Sequence, residues 1–391
     1  MSSETSWRDR NTMPMDEFRT ELRAFIRAHF PEDLREGFHH PMGRLRGDRG
    51  REWVRTMFRH GWRCPHWPVE HGGLGLSVER QLFYLSEMDE YGVTRILDFG
   101  GQLLGPQLIR WGTPEQQAEY LPGILSGDAL WAQGFSEPGS GSDLASLSTR
   151  AVLEGDEWVV NGSKIWTTQA ADADKLFLLV RTSTVGRKQE GISFLLTDIR
   201  VPGITISPIR NIQGEEEFYQ VFFDNLRIPA GNVLGDVNKG WNVAKTLLGV
   251  ERLHYGNPIP ARRALELARQ IARLTGQADD PALSAKFADV AADIHDLFCL
   301  YREVADTVAH GGQAEAEMAL LKVYGTELHQ RAADLVIEAA GGYAAIDGRT
   351  IIGDLEVNIS RLFRWVRAPT IFGGTSEVQR NILTRQFLGK A

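Results

Sequence analysis

Glu251 is the residue whose setting most resembles that of a proton acceptor. It closes the apolar run Leu247-Leu248-Gly249-Val250 and is followed by Arg252. On a helix, Val243, Leu247 and Glu251 fall at i, i+4 and i+8, so the carboxylate shares a face with an apolar stripe. Its neighbours four residues away, Leu247 and Tyr255, are not cations. Apolar surroundings disfavour the charged form of a carboxyl, which tunes it toward general-base work. An ion pair with an arginine from another segment accounts for the same glutamate equally well.

Two segments have the composition of ligand cradles. Phe135-Ser136-Glu137-Pro138-Gly139-Ser140-Gly141-Ser142-Asp143 crowds two glycines and three serines into one turn. Small residues let the backbone approach a ligand, and the hydroxyls offer donors to a phosphate or a heteroaromatic ring. The dinucleotide fingerprint is not met, because Leu144 stands where a third glycine belongs and no βαβ pattern surrounds it. A structural turn explains the run as well. In Asn161-Gly162-Ser163-Lys164-Ile165-Trp166-Thr167-Thr168, the indole and its neighbouring hydroxyls suit a planar cofactor; a core tryptophan is the commoner role.

Further along, Gly341-Gly342 reads as a helix C-cap. Gly373-Gly374-Thr375-Ser376-Glu377 precedes an amphipathic run through Val378, Ile382 and Leu383, with Thr375 as the N-cap and free helix N–H groups behind it. His60, Cys64, His66 and His71 have the chemistry of metal ligands, but their spacing fits no zinc pattern and Pro65 and Pro68 break the segment. No metal is expected.

The elements that must position these residues change texture along the chain. Up to about residue 128 the pattern is helical, with Phe18, Leu22, Phe25, Ile26 and Phe30 at helical intervals before Pro31. Residues 129–235 carry short β-rich runs, among them 157–160, 176–180, 192–196 and 221–223, punctuated by Gly, Asn and Asp. From residue 236 onward the helical period returns, through Val243, Leu247 and Val250 and later Leu328, Ala332, Leu335 and Ala339. The expected fold is therefore α+β: an N-terminal helical domain (1–128), a central antiparallel sheet or β-barrel (129–235) and a C-terminal helical domain (236–391). With 391 residues, 42% hydrophobic and 24% charged, the chain can bury a large core. A net charge of −8 without a basic run excludes nucleic acid as the main partner. No apolar run approaches the roughly 20 residues that span a bilayer. With two cysteines and a polar start, a reduced cytoplasmic setting is expected.

Taken together, the segments at 136–143, 161–168 and 374–380 resemble the acyl-CoA dehydrogenase family in order and spacing, and the resemblance covers nearly the whole chain. It implies a helical domain, a β-barrel and a second helical domain, FAD as cofactor, an acyl-CoA substrate in lipid metabolism and an acceptor like electron-transfer flavoprotein. By that likeness Phe135, Ser136, Gly141, Ser142, Trp166 and Thr168 hold the flavin, with Trp166 against the ring and Thr168 near its N5. Glu338, Gly341, Gly342, Thr375 and Glu377 belong to the adenosine end, partly across a subunit interface. Ser142, Val250, Arg252 and Gly374 line the substrate.

Departures from the family pattern carry information of their own. Many members place the catalytic base at the position of Gly373, whereas a minority place it at that of Glu251. The likeness thus implies Glu251 as the base for the α-proton, hydride transfer from the β-carbon to flavin N5, and a backbone N–H of Gly373 for the thioester oxygen. Glu338 stands where Gln is common, and the Arg and Phe-Gly segment that reaches a neighbour's FAD is not recognisable in 272–288. A hetero-oligomer with a homologous subunit is therefore an alternative to a homotetramer, this chain then being a partner subunit. An acyl-CoA oxidase on the same fold is the other alternative. Gly256 and Gly373 are expected to leave room for a branched or cyclic acyl group.

Overall fold

The computed structural model describes residues 10–31, 47–93, 99–312 and 314–389, without the side chains of Asp89, Val250, Leu253 and His254. Helices α1 (Met15–His29), α2 (Gly47–Arg59), α3 (Val78–Glu90), α4 (Gly105–Trp111) and α5 (Pro114–Ser126) come first. Strands β1 (Trp131–Gly134), β2 (Arg150–Glu154), β3 (Glu157–Thr168), β4 (Lys175–Arg181), β5 (Ile192–Asp198), β6 (Ile204–Arg210) and β7 (Glu216–Pro229) follow. Then come α6 (Gly240–Tyr255), α7 (Ile259–Leu274), α8 (Pro281–Ala309) and α9 (Glu315–Ala340). A hairpin of β8 (Thr350–Ile352) and β9 (Leu355–Val357) leads to α10 (Ile359–Trp365) and α11 (Ser376–Leu388). The order helices, sheet, helices agrees with the expected architecture.

The chain divides into two compact units. One holds the described residues of Leu45–Gly75 and Ile96–Leu248. Its sheet runs β1-β4-β2-β3-β7-β6, with β5 added on β4. Most pairings are antiparallel, as expected from the turn-punctuated runs, but β1 pairs β4 in parallel and Arg150 meets Arg181 in parallel register. All of Leu176–Val180 is buried, which explains why that run is continuously apolar rather than alternating. Val160, Leu178, Leu195, Val221 and Ile228 form the core. In the long β3–β7 pairing the register shifts between Lys164 and Thr167, and Trp166 lies at that bulge.

The other unit holds the described residues of Asp9–Arg44, Leu76–Arg95 and Gly249–Ala391. In α1 the buried residues Phe18, Leu22, Phe25 and Ile26 make one stripe, and the helix stops just before Pro31. Helix α9 is its central element and packs against α7, α8, α10 and α11. Leu321, Leu328, Ala332 and Val336 of α9 join Leu265, Ile271 and Leu297 in one core. Among the described residues no helix is long and apolar enough to cross a membrane, and no group of three or more His, Cys, Asp or Glu is placed to hold a metal ion.

Candidate functional site

Glu251 lies on the last turns of α6 and is buried. Its Oε2 has no hydrogen-bond partner. Burial pushes the carboxyl up to about 7, against the opposing pull of the Arg252 and Lys322 charges. A carboxyl held near neutrality with a free oxygen can exchange a proton at physiological pH. Arg252 is itself largely buried, with Nε unpartnered and Nη1 3.9 Å from Glu315 Oε1. It is therefore not locked into an ion pair with Glu251.

The Gly373-Gly374 turn stands beside this carboxyl. A Cβ placed on Gly373 would lie 3.4 Å from Glu251 Oε1 and 3.0 Å from the Tyr255 ring. Both glycines have positive φ, 64° and 85°, a conformation that other residues adopt with strain. Their carbonyls point to donors: Gln379 Nε2 donates to Gly373 O at 3.1 Å and to Gly374 O at 3.3 Å, and Lys322 Nζ donates to Gly374 O at 2.7 Å. Thr375 caps α11, its Oγ1 accepting from Val378 N, as the sequence pattern predicts. The ring of Phe372 packs at 4.8 Å on Tyr255, which keeps one side of this turn apolar.

The expectation that Gly256 leaves acyl room is overturned. A Cβ on Gly256 would meet Leu321 Cβ at 2.7 Å, and one on Gly325 would meet Gly256 Cα at 3.1 Å. Two glycines are spent on bringing the end of α6 against α9, so the space at Gly256 is filled by neighbouring backbone. At Gly373 a substituent likewise meets Tyr255 and Glu251 rather than open volume.

In the sheet unit, Ser136 O accepts from Ile165 N at 2.9 Å, which fastens the serine-glycine turn to β3 next to Trp166. Trp166 is 55% exposed, so its indole is not a core residue, and its φ of 61° is strained for a tryptophan. Thr167 Oγ1 and Gln169 Nε2 are buried beside it without partners. The exposed indole on its strained backbone offers a face that a planar ring fits, whereas the orphaned Thr167 and Gln169 atoms are buried and form no part of that open face. Gly141 and Ser142 are exposed, and a Cβ on Gly141 would meet nothing within 4 Å. The Phe135 ring is buried instead, edge-on to Phe177 and Phe194.

This turn is held from beneath. Lys164 is fully buried, and its Nζ donates to Phe135 O at 3.0 Å and to Glu137 Oε1 at 2.8 Å. Glu137 also accepts from Thr149 N at 2.9 Å and from Ser148 N and Oγ at 2.6 and 2.8 Å. Burial alone raises the Glu137 carboxyl, but the Lys164 charge and these hydrogen bonds more than reverse it, down to about 2.

The residues assigned to an adenosine end are not gathered into one place within this chain. Glu338 near the end of α9 is paired with Lys286 at 2.6 Å, and Gly341 caps that helix with φ 54°. Lys322, which holds the turn leading to Thr375 and Glu377, lies about 24 Å away along the helix axis. The side chain of Val250 lies outside the described residues. Sequence reasoning did not find Lys322, Gln379 or the Glu137–Lys164 pair as functional. Lys322 and Lys164 act on partners 52 and 27 residues away, their only signal being a lysine at a core-facing position, whereas Gln379 reaches back five and six residues to the two glycine carbonyls.

Residues 14–128, 132–226 and 238–388 match, in that order, the N-terminal, middle and C-terminal domains of the family described as acyl-CoA dehydrogenase. Acyl-CoA dehydrogenase IpdE1 of Mycobacterium tuberculosis is 36% identical over 383 residues, spanning 94% of this chain and 97% of that protein. The solved steroid ACAD Tcur3481-Tcur3483 is similar at 32% identity with a TM-score of 0.83, over 96% of this chain and 97% of that one. The ChsE4-ChsE5 complex from Mycobacterium tuberculosis is similar at 32% identity with a TM-score of 0.82, also over 96% and 97%.

Proposed function

The chain belongs to the acyl-CoA dehydrogenase family, and from that premise we propose that it removes two hydrogens across the α and β carbons of a ring-bearing acyl-CoA, with Glu251 as base. The observation that carries this reading is the buried, unpartnered Glu251 carboxyl facing Gly373, the family's other base position. In the proposed step Glu251 takes the α-proton as a carboxylate, and the electron pair of the broken C–H bond moves into the forming double bond. The β-hydrogen departs with its electrons. When bound, FAD supplies the acceptor for that hydride. The N–H of Gly373 is assigned to the thioester oxygen, where negative charge develops. Ser142, Val250, Arg252 and Gly374 are assigned to the substrate, and electrons pass on to an acceptor like electron-transfer flavoprotein.

The flavin ring is assigned to Phe135, Ser136, Gly141, Ser142, Trp166 and Thr168. Support comes from the exposed Trp166 indole and its strained backbone. Glu338, Gly341, Gly342, Thr375 and Glu377 are assigned to adenosine ends shared between subunits. Glu338, acidic and already paired with Lys286, is poorly matched to a diphosphate. That observation favours assembly with a homologous partner subunit over a homotetramer, and two of the similar structures are two-protein complexes.

The substrate class rests on the similarity to a steroid ACAD. Anaerobic mixing of the flavin-loaded protein, alone and with a homologous partner, with acyl-CoAs tests it by flavin bleaching. Faster bleaching by ring-bearing thioesters than by butyryl-CoA is the expected result. Preference for butyryl-CoA removes the substrate assignment, and a flavin-loaded protein that no acyl-CoA bleaches removes the dehydrogenation assignment. Rapid reoxidation by air would identify an oxidase.

A further inference from the structure

Lys322 is an unusual residue to find inside a helical core. It is fully buried on α9, and its ammonium makes one hydrogen bond, to Gly374 O. Burying a cation costs several kcal/mol unless its charge is compensated. A carbonyl needs only a neutral donor, and this carbonyl already receives one from Gln379. The charge therefore calls for a reason beyond the hydrogen bond.

The turn that Lys322 holds is the one beside Glu251. The carboxylate lies on one side of Gly373, and the ammonium is tied to the carbonyl of the next residue. Neither forms an ion pair with the other, and Glu251 Oε2 stays free. Their charges nonetheless couple. We propose that Lys322 is a positioning residue for the base: tethered to the Gly374 carbonyl, it holds a positive charge near Glu251 without pairing with it and fixes the turn that carries the Gly373 N–H. This rests on Glu251 being the base.

The tether resolves a conflict of requirements. A carboxyl desolvated without any cation stays protonated and cannot accept a proton, whereas one closed into an ion pair is too weak a base. A cation at a fixed stand-off permits ionisation and leaves an oxygen for the substrate. The other charged groups around the pair are Arg252 on the same helix as Glu251, Glu327 on α9 and Glu377 on α11. Arg252 favours an ionised Glu251, and both glutamates favour a charged Lys322. Burial pushes the Lys322 ammonium down to about 8, so it is charged where Glu251 titrates.

The test is an infrared pH titration of the full-length protein. The carboxyl band missing in Glu251→Gln identifies the base, so failure to find a buried titrating Glu251 is distinguishable from failure of the Lys322 proposal. Lys322→Gln keeps a donor for Gly374 O and removes the charge. Its Glu251 midpoint should rise by about one pH unit or more. Lys322→Arg, which keeps the charge, should return the midpoint toward wild type. A purely structural lysine predicts no rise in Lys322→Gln, and that result overturns the proposal. Coupling is reciprocal, so a second measurement needs no Lys322 variant. Two buried lysines, Lys164 and Lys322, are pushed down to about 8, and in Glu251→Gln one of the two low-titrating signals, followed by NMR of 13C-labelled lysine side chains, should move down by the same amount while the other stays. No movement there overturns the proposal even if the Lys322 variants do not fold.

Discussion

Each unit of this protein buries a lysine close to a buried glutamate of its candidate site, and the two arrangements have opposite electrostatics. In the sheet unit, Glu137 and Lys164 meet at 2.8 Å, and Glu137 accepts from Lys164, Ser148 and Thr149 until its carboxyl falls to about 2. In the helical unit, Glu251 keeps an oxygen without a partner, Lys322 donates elsewhere, and the carboxyl rises to about 7. Burial is common to both, so burial alone does not make a base. The number of donors aimed at the carboxylate decides. Saturated, a buried glutamate is a permanent anion that braces a loop; starved of donors, it becomes a group that can take up and release a proton.

The largest consequence falls on chemistry. Glu251→Gln keeps volume and removes basicity, so flavin reduction by acyl-CoA should slow by about 10⁴-fold or more, the upper end for a general base. FAD binding should persist, because the residues assigned to the ring lie in the sheet unit. Stopped-flow bleaching under anaerobic conditions measures the first, and the flavin-to-protein ratio the second. An unchanged bleaching rate would place the base elsewhere and dissolve the contrast.

Next in size is the effect of breaking the saturated pair. Lys164→Met leaves Glu137 buried without its cation and should destabilise the protein by about 3–5 kcal/mol in denaturant unfolding. Adding Glu137→Gln should recover part of that loss, since the uncompensated charge is gone. Ser136 is carried on the same loop, so flavin occupancy should fall in the single variant and partly return in the double.

The two carboxyls also set opposite slopes of stability against pH. For Glu137, whose folded pKa lies near 2 against an ordinary 4.5, the contribution is full above about 4.5 and is lost as pH falls toward 2. For Glu251, raised to about 7, the folded state retains a proton that the unfolded state has released between 4.5 and 7. Stability then falls as pH rises through that window, by about 3 kcal/mol in total. Glu251→Gln should flatten this fall and be the more stable protein above pH 7, whereas Glu137→Gln should lose stability there. Unfolding midpoints across pH 2 to 8 check both signs. A Glu251→Gln protein with an unaltered slope would show that Glu251 is not raised.

How much of this was legible in the sequence follows from the range of each interaction. Glu251 was readable because its apolar stripe is local, repeating every four residues on one helix. The Thr375 cap and the Gly341 helix end were readable for the same reason. The bulge at Trp166 was not, since a register shift depends on a partner strand that begins at Glu216. Nor were Lys322 and Lys164, whose roles are set by contacts with Gly374 and Glu137. The two-unit organisation was hidden for the same cause: α1 and α3 belong with residues far along the chain. Glycine was the most ambiguous letter, because a missing side chain signals closeness without saying what approaches.

Gly256 gives that ambiguity its sharpest test and the smallest expected effect. Its absent side chain lets the end of α6 approach Leu321 and Gly325 of α9. Leu321 adjoins Lys322, and Gly256 follows the turn of α6 that bears Glu251, so in the proposed arrangement this contact helps to set the spacing of Lys322 and Glu251. In Gly256→Ala the new methyl meets Leu321 Cβ at 2.7 Å, and the two helices must separate slightly. Overpacking of this kind costs about 1–3 kcal/mol, measurable by denaturant unfolding. Separation also weakens the Lys322 field, so the Glu251 infrared midpoint should rise by a few tenths of a pH unit, less than in Lys322→Gln. The ratio of kcat/KM for ring-bearing over butyryl thioesters should stay unchanged, because the methyl points into a helix crossing. A fall in that ratio with unchanged stability would return Gly256 to the acyl pocket and leave the spacing of Glu251 and Lys322 to be set by other contacts.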